Sequence, residues 1–328
     1  MCGRSGRANE RKATPVRSAT YSGAGPASDV IRITELPVPV PGPGEVLVKV
    51  GAVGLNPVDV KIRAAATDFG VIRYSAQPGW DVAGVVAATG PDVDGWAEGD
   101  RVFALASFPA AAHTMAEYAV VAAEDLAPVP SRWSIAEAGA APLAALTAWQ
   151  ALEAAGVREG HRVLVLGGAG GVGHLAVQLA AARGAEVIAT ASPAKHDLVR
   201  GWGADLVIDY RDEEGLAAVG RTDAVIVTVD DSLPPRGVVA DGTAVISITH
   251  LEDAQARELA GWGAGPVARI LVAANGEQLG RIAELADRGR LVVHLDSTYS
   301  LDELVSAHER VETGRVTGKV AVIVDPQL

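Results

Sequence analysis

The chain has 328 residues, of which 49% are hydrophobic and 21% charged, a balance that excludes general disorder and provides for two packed domains. Its net charge of −12 disfavours nucleic acid as a partner, because an acidic surface repels a polyanion. Cys2 is the only cysteine, which excludes an intrachain disulfide and a cluster of thiolate metal ligands.

Residues 1–13 are basic, with Arg4, Arg7, Arg11 and Lys12, and no apolar segment follows them. A secretory signal needs such a segment, so we expect a flexible leader here, with a targeting or anchoring tail as the alternative. No apolar run reaches the roughly 18 residues that a membrane-spanning helix requires. The sequence therefore predicts a cytoplasmic protein that does not bind a membrane.

Residues 14–130 contain short runs of alternating apolar and polar residues, separated by proline and glycine. This alternation predicts strands at Glu45–Val50, Asp81–Thr89, Asp100–Ala106 and Tyr118–Val121. Frequent turns and few helical segments indicate a small, mostly antiparallel β domain. Residues 290–328 contain a predicted helix and a closing strand at Lys319–Val324, which we expect to return to this domain.

Residues 131–289 differ, because predicted strands alternate there with helices. Ser134 and Glu137 fit a capping box at the start of an alanine-rich helix that is predicted to run through Leu152. Apolar strands are predicted at Arg162–Leu166, Glu186–Ala191, Leu206–Ile208, Ala224–Val229 and Ala244–Thr249. Continuously apolar strands joined by helices are typical of a doubly wound parallel sheet, the α/β Rossmann fold.

A glycine-rich loop follows the strand Arg162–Leu166, and a predicted helix follows the loop. Glycines in such a loop let the backbone turn tightly and approach a pyrophosphate, whose charge the N–H groups at the helix start stabilise. Spaced as G-x-G-x-x-G in this context, the loop predicts a dinucleotide site. Its residues are Gly168, Gly170, Gly171, Val172 and Gly173.

The end of the next strand discriminates between NAD and NADP. An NAD site usually has Asp or Glu there to bind the ribose 2′-hydroxyl, whereas this strand ends at Ser192 without an acid. Ser192 and Lys195 can bind a 2′-phosphate by hydrogen bond and charge. The sequence therefore favours NADPH, with a solvated surface lysine as the alternative for Lys195.

Several segments together resemble the zinc-independent branch of the medium-chain dehydrogenase/reductase superfamily, the quinone oxidoreductase group. They are Pro41–Val50, Gly54–Lys61, Pro78–Gly84, Gly99–Phe103, Ala141–Leu152, the glycine loop, Gly203–Tyr210 and Gly314–Lys319. The resemblance implies a GroES-like β domain from residues 14–130 and 290–328, packed against a Rossmann domain at residues 131–289. It also implies an active site in the cleft between them and a homodimer.

The resemblance assigns further residues to the cofactor. Ser192, Lys195 and Tyr210 match the set that binds the 2′-phosphate in the group. A basic residue near the C-terminus often joins that set, and Arg315 or Lys319 is the match. Thr147 is expected near the nicotinamide.

The resemblance also indicates whether the chain has ligands for zinc. Zinc-dependent relatives hold zinc with Cys or His and acidic ligands. Here the corresponding loop reads Asn56-Pro-Val-Asp59, and Trp80 stands where a His ligand would be. We therefore expect no zinc.

Without a metal to polarise a carbonyl, a conjugated acceptor is the easier small-molecule substrate. Hydride adds at the far carbon of an enone or a quinone, and hydrogen-bond donors stabilise the charge on the oxygen. We predict an NADPH-dependent reductase in which Asn56, Lys61 and Tyr74 are candidates for positioning substrate or donating a proton. The alternatives are a turn residue for Asn56 and a surface or loop position for Lys61 and Tyr74.

Two other functions stay open. One is a discrete enoyl reductase of a biosynthetic, polyketide-like pathway, because the shape of the pocket and not the fold governs the choice of substrate. The other is a non-catalytic NADPH-binding protein. Asp230 and Asp231 leave the latter open, because relatives usually have Val-Gly-Gly in this segment, close to the cofactor.

Overall fold

The computed structural model describes residues 15–65, 72, 74–230 and 233–328. The predicted leader at 1–13 and Asp231 lie outside the described residues. Up to residue 130 the elements are β1 (Val16–Tyr21), α1 (Ala27–Val30), β2 (Ile31–Leu36), β3 (Glu45–Leu55), α2 (Pro57–Ala65), β4 (Asp81–Thr89), β5 (Arg101–Leu105), β6 (Tyr118–Ala122) and β7 (Ala127–Pro128).

The remaining elements alternate more regularly between helix and strand. They are α3 (Ile135–Ala140), α4 (Pro142–Ala154), β8 (Arg162–Leu166), α5 (Gly173–Ala182), β9 (Glu186–Thr190), α6 (His196–Gly201), β10 (Leu206–Ile208), α7 (Glu213–Ala218), β11 (Ala224–Val227), β12 (Ala244–Ser247), α8 (Asp253–Gly261), β13 (Val267–Arg269), α9 (Gly276–Asp287), β14 (Leu295–Ser300), α10 (Leu304–Glu312) and β15 (Lys319–Ile323).

The first sheet has the strand order β14-β15-β3-β4-β5-β7, with β6 also paired to β3. Its pairs are antiparallel except for β14 and β15, which run parallel. Val320 lies opposite Leu55 in the register of β15 and β3. The C-terminal strand therefore brings Lys319 to the end of β3. The domain limits at 130/131 and 289/290 stay a prediction.

The second sheet is parallel, with the strand order β10-β9-β8-β11-β12-β13. In the sheet's own numbering this order is 3-2-1-4-5-6, which confirms the predicted Rossmann topology. The order reverses between β8 and β11, and ligands of such sheets bind at the carboxyl edge of that reversal. The glycine loop begins at this edge, directly after β8.

The central strands β8, β11 and β12 of the parallel sheet are buried on both faces. Val163 and Val165 of β8 face a core that continues through α3 and α4 into the first sheet, whereas Leu164 and Leu166 face a second apolar cluster. This alternation follows from the two-residue period of a strand. Burial of both faces also explains why these strands read as unbroken apolar runs in the sequence.

The predicted helix from Ser134 through Leu152 is wrong as one helix, because the structure has two. Its start is confirmed, since Ser134 and Glu137 form the predicted capping box. The break comes at Ala141, and Pro142 begins α4. Proline has no N–H to donate to the preceding turn, so it favours the first position of a new helix.

No helix in the described ranges combines the length and the apolarity needed to cross a membrane.

Candidate active site

The glycine loop is tied to the ends of the neighbouring strands. Gly167 has a φ of +84°, a left-handed conformation that glycine adopts without steric cost. Its N–H donates to Thr190 Oγ1 at 2.9 Å, and the Gly168 N–H donates to the Thr190 carbonyl at 2.8 Å. From the other side, Thr228 Oγ1 donates to the Leu166 carbonyl at 2.7 Å. The loop is therefore fixed by β9 and by the residue after β11.

Gly173 and Gly171 have different surroundings in the loop. A Cβ on Gly173 would lie 2.0 Å from the Gly167 carbonyl oxygen, so the start of α5 packs directly on the loop backbone. A Cβ on Gly171 would lie 3.4 Å from the Gly318 oxygen and 3.5 Å from Lys319 Cδ. The predicted cofactor loop thus lies against the segment that leads into β15.

Lys319 is the centre of a buried polar cluster, which we call the Lys319 cluster and which comprises Asn56, Asp59, Asp81 and Lys319. The side chain of Lys319 is only 3% exposed, and its Nζ lies 3.8 Å from Asp81 Oδ2. The same Nζ donates to Asn56 Oδ1 and, at 3.4 Å, to the Leu55 carbonyl. These contacts join β15 to β3 and β4.

Asn56 and Asp81 complete the contacts around the lysine. Asn56 Nδ2 donates to Asp81 Oδ2 at 2.8 Å, so both ends of the Asn56 amide have defined partners. Asp81 Oδ1 accepts the Leu143 N–H at 2.6 Å, in the first turn of α4. The cluster therefore connects the antiparallel sheet to the helix that precedes the parallel sheet.

Burial shifts the acid–base properties of the cluster towards neutral pH. It raises the pKa of Asp59 to about 7 and that of Asp81 to about 6, while the charge of Lys319 opposes both shifts. Burial also lowers the pKa of Lys319, against the opposing effect of Asp81. Groups with such pKa values can take up or release a proton at neutral pH.

The two carboxylate oxygens of Asp59 differ in their hydrogen bonding to the described part of the chain. Oδ2 accepts the Asn56 N–H at 2.9 Å, whereas Oδ1 is buried with no hydrogen-bond partner among the described residues. Asp59 borders a small cavity that Tyr21, Gln77 and Trp80 also line. The cavity lies on the side of the Lys319 cluster that includes α2.

Of the three predicted catalytic residues, the structure places only Asn56 in the Lys319 cluster. Lys61 lies on α2 and forms an ion pair of 3.1 Å with Asp230, and about half of each side chain is exposed. Tyr74 is half-buried and packs against the apolar core. Asp81 was not among the predicted residues. A signal for it was available, since it is an acid at the start of the otherwise apolar strand β4.

Strand pairing brings the predicted 2′-phosphate residues to one edge. Thr190 and Ile208 are register partners at the ends of β9 and β10, and Ser192 and Tyr210 each follow two residues later. Ser192 is half-buried, and Tyr210 is 58% exposed.

Two cations lie at the same edge. Lys195, half-buried, ends the 3₁₀ turn that follows Ser192. The Arg211 guanidinium, which sequence reasoning missed, lies 5.2 Å from the centre of the Tyr210 ring and also pairs with Asp209 at 2.9 Å.

The other predicted cofactor residues have different surroundings. Val172 precedes the first residue of α5, and Thr147 is buried on α4 with its Oγ1 donating to the Leu143 carbonyl at 2.6 Å. Arg315 is exposed before β15, whereas Lys319 has the buried contacts given above. Of the two predicted C-terminal basic residues, Lys319 is therefore buried in the cluster and Arg315 is exposed to solvent.

Asn56 and Trp80, at the expected zinc position, have hydrogen-bond partners within the protein. Asn56 contacts Lys319 and Asp81, and Trp80 Nε1 donates to the Ala110 carbonyl at 2.6 Å. Across the described part of the chain, no three His, Cys, Asp or Glu side chains come together as a metal-binding group.

Comparison with known proteins gives matches over most of the chain. Residues 42–131 match the family model described as alcohol dehydrogenase GroES-like domain, and residues 171–232 and 202–322 match two models described as zinc-binding dehydrogenase. The 2-methylene-furan-3-one reductase of Solanum lycopersicum is 37% identical, over 90% of this chain and 76% of that protein.

Two further matches are to a segment of a much longer protein and to a solved structure. The spectinabilin polyketide synthase system protein NorB of Streptomyces orinoci is 36% identical over 87% of this chain, which spans 13% of that protein. The solved structure of the quinone oxidoreductase from Coxiella burnetii superposes with a TM-score of 0.82 at 31% identity. That superposition covers 94% of this chain and 99% of the other.

Asp59→Asn tests the electrostatics of the Lys319 cluster. The folded protein holds a proton on Asp59 up to about pH 7, whereas the unfolded chain releases it near pH 4, so the free energy of unfolding falls between these values as pH rises. An asparagine keeps an oxygen for the Asn56 N–H and has no charge to bury. We expect Asp59→Asn to gain about 1 kcal/mol or more over the natural protein at pH 8 relative to pH 5.

Urea unfolding at the two pH values measures this difference. Asp94→Asn, at an exposed position, is the matched control and should change stability equally at both. If Asp59→Asn raises the free energy of unfolding equally at pH 5 and pH 8, the pKa of the Asp59 carboxyl is not raised in the folded protein.

Proposed function

Because this chain belongs to the quinone oxidoreductase group of the medium-chain dehydrogenase/reductase superfamily, we propose that it reduces quinones or the activated C=C bond of α,β-unsaturated carbonyl compounds with NADPH. It is an NAD(P)-dependent oxidoreductase with a small-molecule substrate. One observation supports the proposal of substrate class: the glycine loop lies against Lys319, whose ammonium group is buried with Asn56 and Asp81. By the resemblance, the loop that contains Asn56 corresponds to one that supplies metal ligands in zinc-dependent relatives.

The residues of the glycine loop fit a dinucleotide. Gly171 places no side chain beside Lys319, and the loop leads into the N-terminal end of α5, where the helix dipole favours a bound anion. Ser192 and Lys195 follow β9, which ends without an acid, and are the groups we propose for the 2′-phosphate. Tyr210 and Arg211 are proposed to complete that subsite.

NADPH supplies the hydride when it is bound. The chain's own contribution is electrostatic: Lys319 brings a positive charge to a water-poor site, where charge developing on a substrate oxygen is stabilised most strongly. Asn56 holds the ammonium group through Oδ1 and is itself held by Asp81. Asp59 and Asp81, with pKa values near neutrality, are proposed to exchange protons with this cluster. Lys61 and Tyr74 stay predicted proton donors.

Two further expectations stay proposals. β13 is an edge strand of the parallel sheet, and Leu271 beyond it is exposed, so we propose that two chains pair along this edge as a homodimer. Cytoplasmic localisation stays a prediction from the sequence.

A substrate panel tests the proposed chemistry. Purified protein is mixed with NADPH and, in separate assays, with a quinone, an α-methylene ketone, a crotonyl thioester and a saturated ketone, and oxidation is followed at 340 nm. We expect kcat/KM for the quinone or the α-methylene ketone to exceed that for the saturated ketone by about 100-fold, because the conjugated acceptor needs no metal.

The other outcomes decide between alternatives. The crotonyl thioester as preferred substrate would favour an enoyl reductase, which the similarity to a polyketide synthase also supports. Oxidation of secondary alcohols with NAD would contradict the proposal. Tight NADPH binding without turnover of any compound would favour a non-catalytic protein.

Lys195→Ala tests the choice of cofactor. Loss of the ammonium group should raise the KM for NADPH about tenfold and leave that for NADH unchanged, because only NADPH has the 2′-phosphate. Arg200→Ala is the matched control, since Arg200 is an exposed cation one turn further on, paired with Asp197 at 2.7 Å. An unchanged preference for NADPH in Lys195→Ala would show that the phosphate binds elsewhere.

A double-mutant cycle tests Lys61 and Asp230. Asp230 lies three residues after β11, at the edge where the phosphates are proposed to bind, and Lys61 neutralises it. We expect Lys61→Met to raise the Kd for NADPH about threefold and Lys61→Met with Asp230→Asn to restore it, the size expected for an exposed ion pair. A loss of kcat that Asp230→Asn does not restore would instead support proton donation by Lys61.

A further inference from the structure

His174 contacts two different segments through its two ring nitrogens. It lies fully buried on α5, with Nδ1 3.0 Å from the Gly170 carbonyl oxygen and Nε2 3.4 Å from the backbone nitrogen of His294. A carbonyl accepts and a backbone N–H donates, so Nδ1 carries the proton and Nε2 accepts. Burial lowers the pKa of His174 to about 4, which keeps the ring in this neutral form at physiological pH.

The contact with Gly170 fixes a peptide unit of the glycine loop. The Gly170 carbonyl accepts both the His174 ring N–H and the His174 backbone N–H, the latter at 3.1 Å. In a trans peptide the C=O and the following N–H point in opposite directions. The Gly171 N–H therefore points out of the N-terminal end of α5, the direction from which an anion is bound.

The other ring nitrogen reaches the strand pair that presents Lys319. The His294 carbonyl, just before β14, accepts the Lys319 N–H at 2.8 Å. The Gly318 N–H in turn donates to the Ala169 carbonyl of the glycine loop at 3.0 Å. His174 thus lies between the loop proposed for the cofactor and the backbone that positions Lys319.

We infer that His174 is a positioning residue that orients the Gly170–Gly171 peptide toward the pyrophosphate of the dinucleotide and aligns the Lys319 backbone with the same ring. The inference rests on the proposed function, because it needs a dinucleotide at the loop and a role for Lys319. The two ring nitrogens contact different segments, so a variant that loses only the Nδ1 contact and one that loses only the Nε2 contact should have different effects.

Three substitutions separate the tasks. His174→Asn places an amide nitrogen near the Nδ1 position and keeps the contact with Gly170, and His174→Gln places an amide oxygen near Nε2 and keeps the contact with His294. His174→Leu keeps neither. We expect the Kd for NADPH, measured by calorimetry, to rise about tenfold in His174→Leu and His174→Gln and to stay within about threefold in His174→Asn.

The effect on kcat should be the reverse of the effect on Kd, with the larger loss in His174→Asn than in His174→Gln. With saturating NADPH and the acceptor that the natural protein reduces, kcat should fall about fivefold in His174→Asn and His174→Leu and stay within about twofold in His174→Gln. A residue with a merely structural role would not divide Kd and kcat between two amide variants in this way.

Gln178→Leu is the matched control. Gln178 is buried one turn further along α5 and bonds both backbone groups of Val292, at 2.9 and 2.8 Å, so it holds the segment before β14 from the same helix. Its loss should lower the urea midpoint and leave the Kd for NADPH within about twofold.

The outcomes distinguish a failure of the proposed function from a failure of the inference about His174. Natural protein that binds neither NADPH nor NADH overturns the proposed function and this inference with it. Natural protein that binds NADPH, with His174→Asn weakened as much as His174→Gln, overturns the inference alone. The two amide variants suffice for that comparison should His174→Leu fail to fold.

Discussion

The burial of one ammonium group is the constraint on which the arrangement of this protein depends. Removing the Lys319 charge from water costs several kcal/mol unless polar groups replace the solvent. The replacements come from the end of β3, as the Leu55 carbonyl and the Asn56 amide, and from β4, as the Asp81 carboxylate. Three strands and the start of α4, which binds Asp81, must therefore meet at one point.

That meeting point explains why the glycine loop and the Lys319 cluster are neighbours. The glycine loop packs against Gly318 and Lys319: a Cβ on Gly171 would lie in van der Waals contact with both, and the Gly318 N–H donates to the Ala169 carbonyl at 3.0 Å. The charges of the cluster are also balanced locally, because Asp81 and Asp59 share one lysine and are shifted toward neutral forms. The ion pair of Lys61 with Asp230 is exposed, so solvent screens it and it contributes less to stability than a buried contact.

Much of the fold was predictable because its signals are local. The strand Arg162–Leu166 was predicted at the position where β8 lies, since a run buried on both faces is apolar without interruption. The capping box at Ser134 depends on neighbours three residues apart. The helix break at Pro142 was missed although proline signals it, because alanine-rich sequence on both sides favours helix.

The sequence by itself determined the two kinds of sheet and the position of the glycine loop between a strand and a helix, because each depends on residue types and spacings within one short segment. Only the tertiary structure decided that Asn56, Asp81 and Lys319 share one buried site, that Lys61 pairs with Asp230, and that His174 joins the loop to the segment before β14. These contacts join residues more than 20 positions apart. A buried polar group finds its partner through the packing of whole strands and helices, and no local pattern encodes that packing.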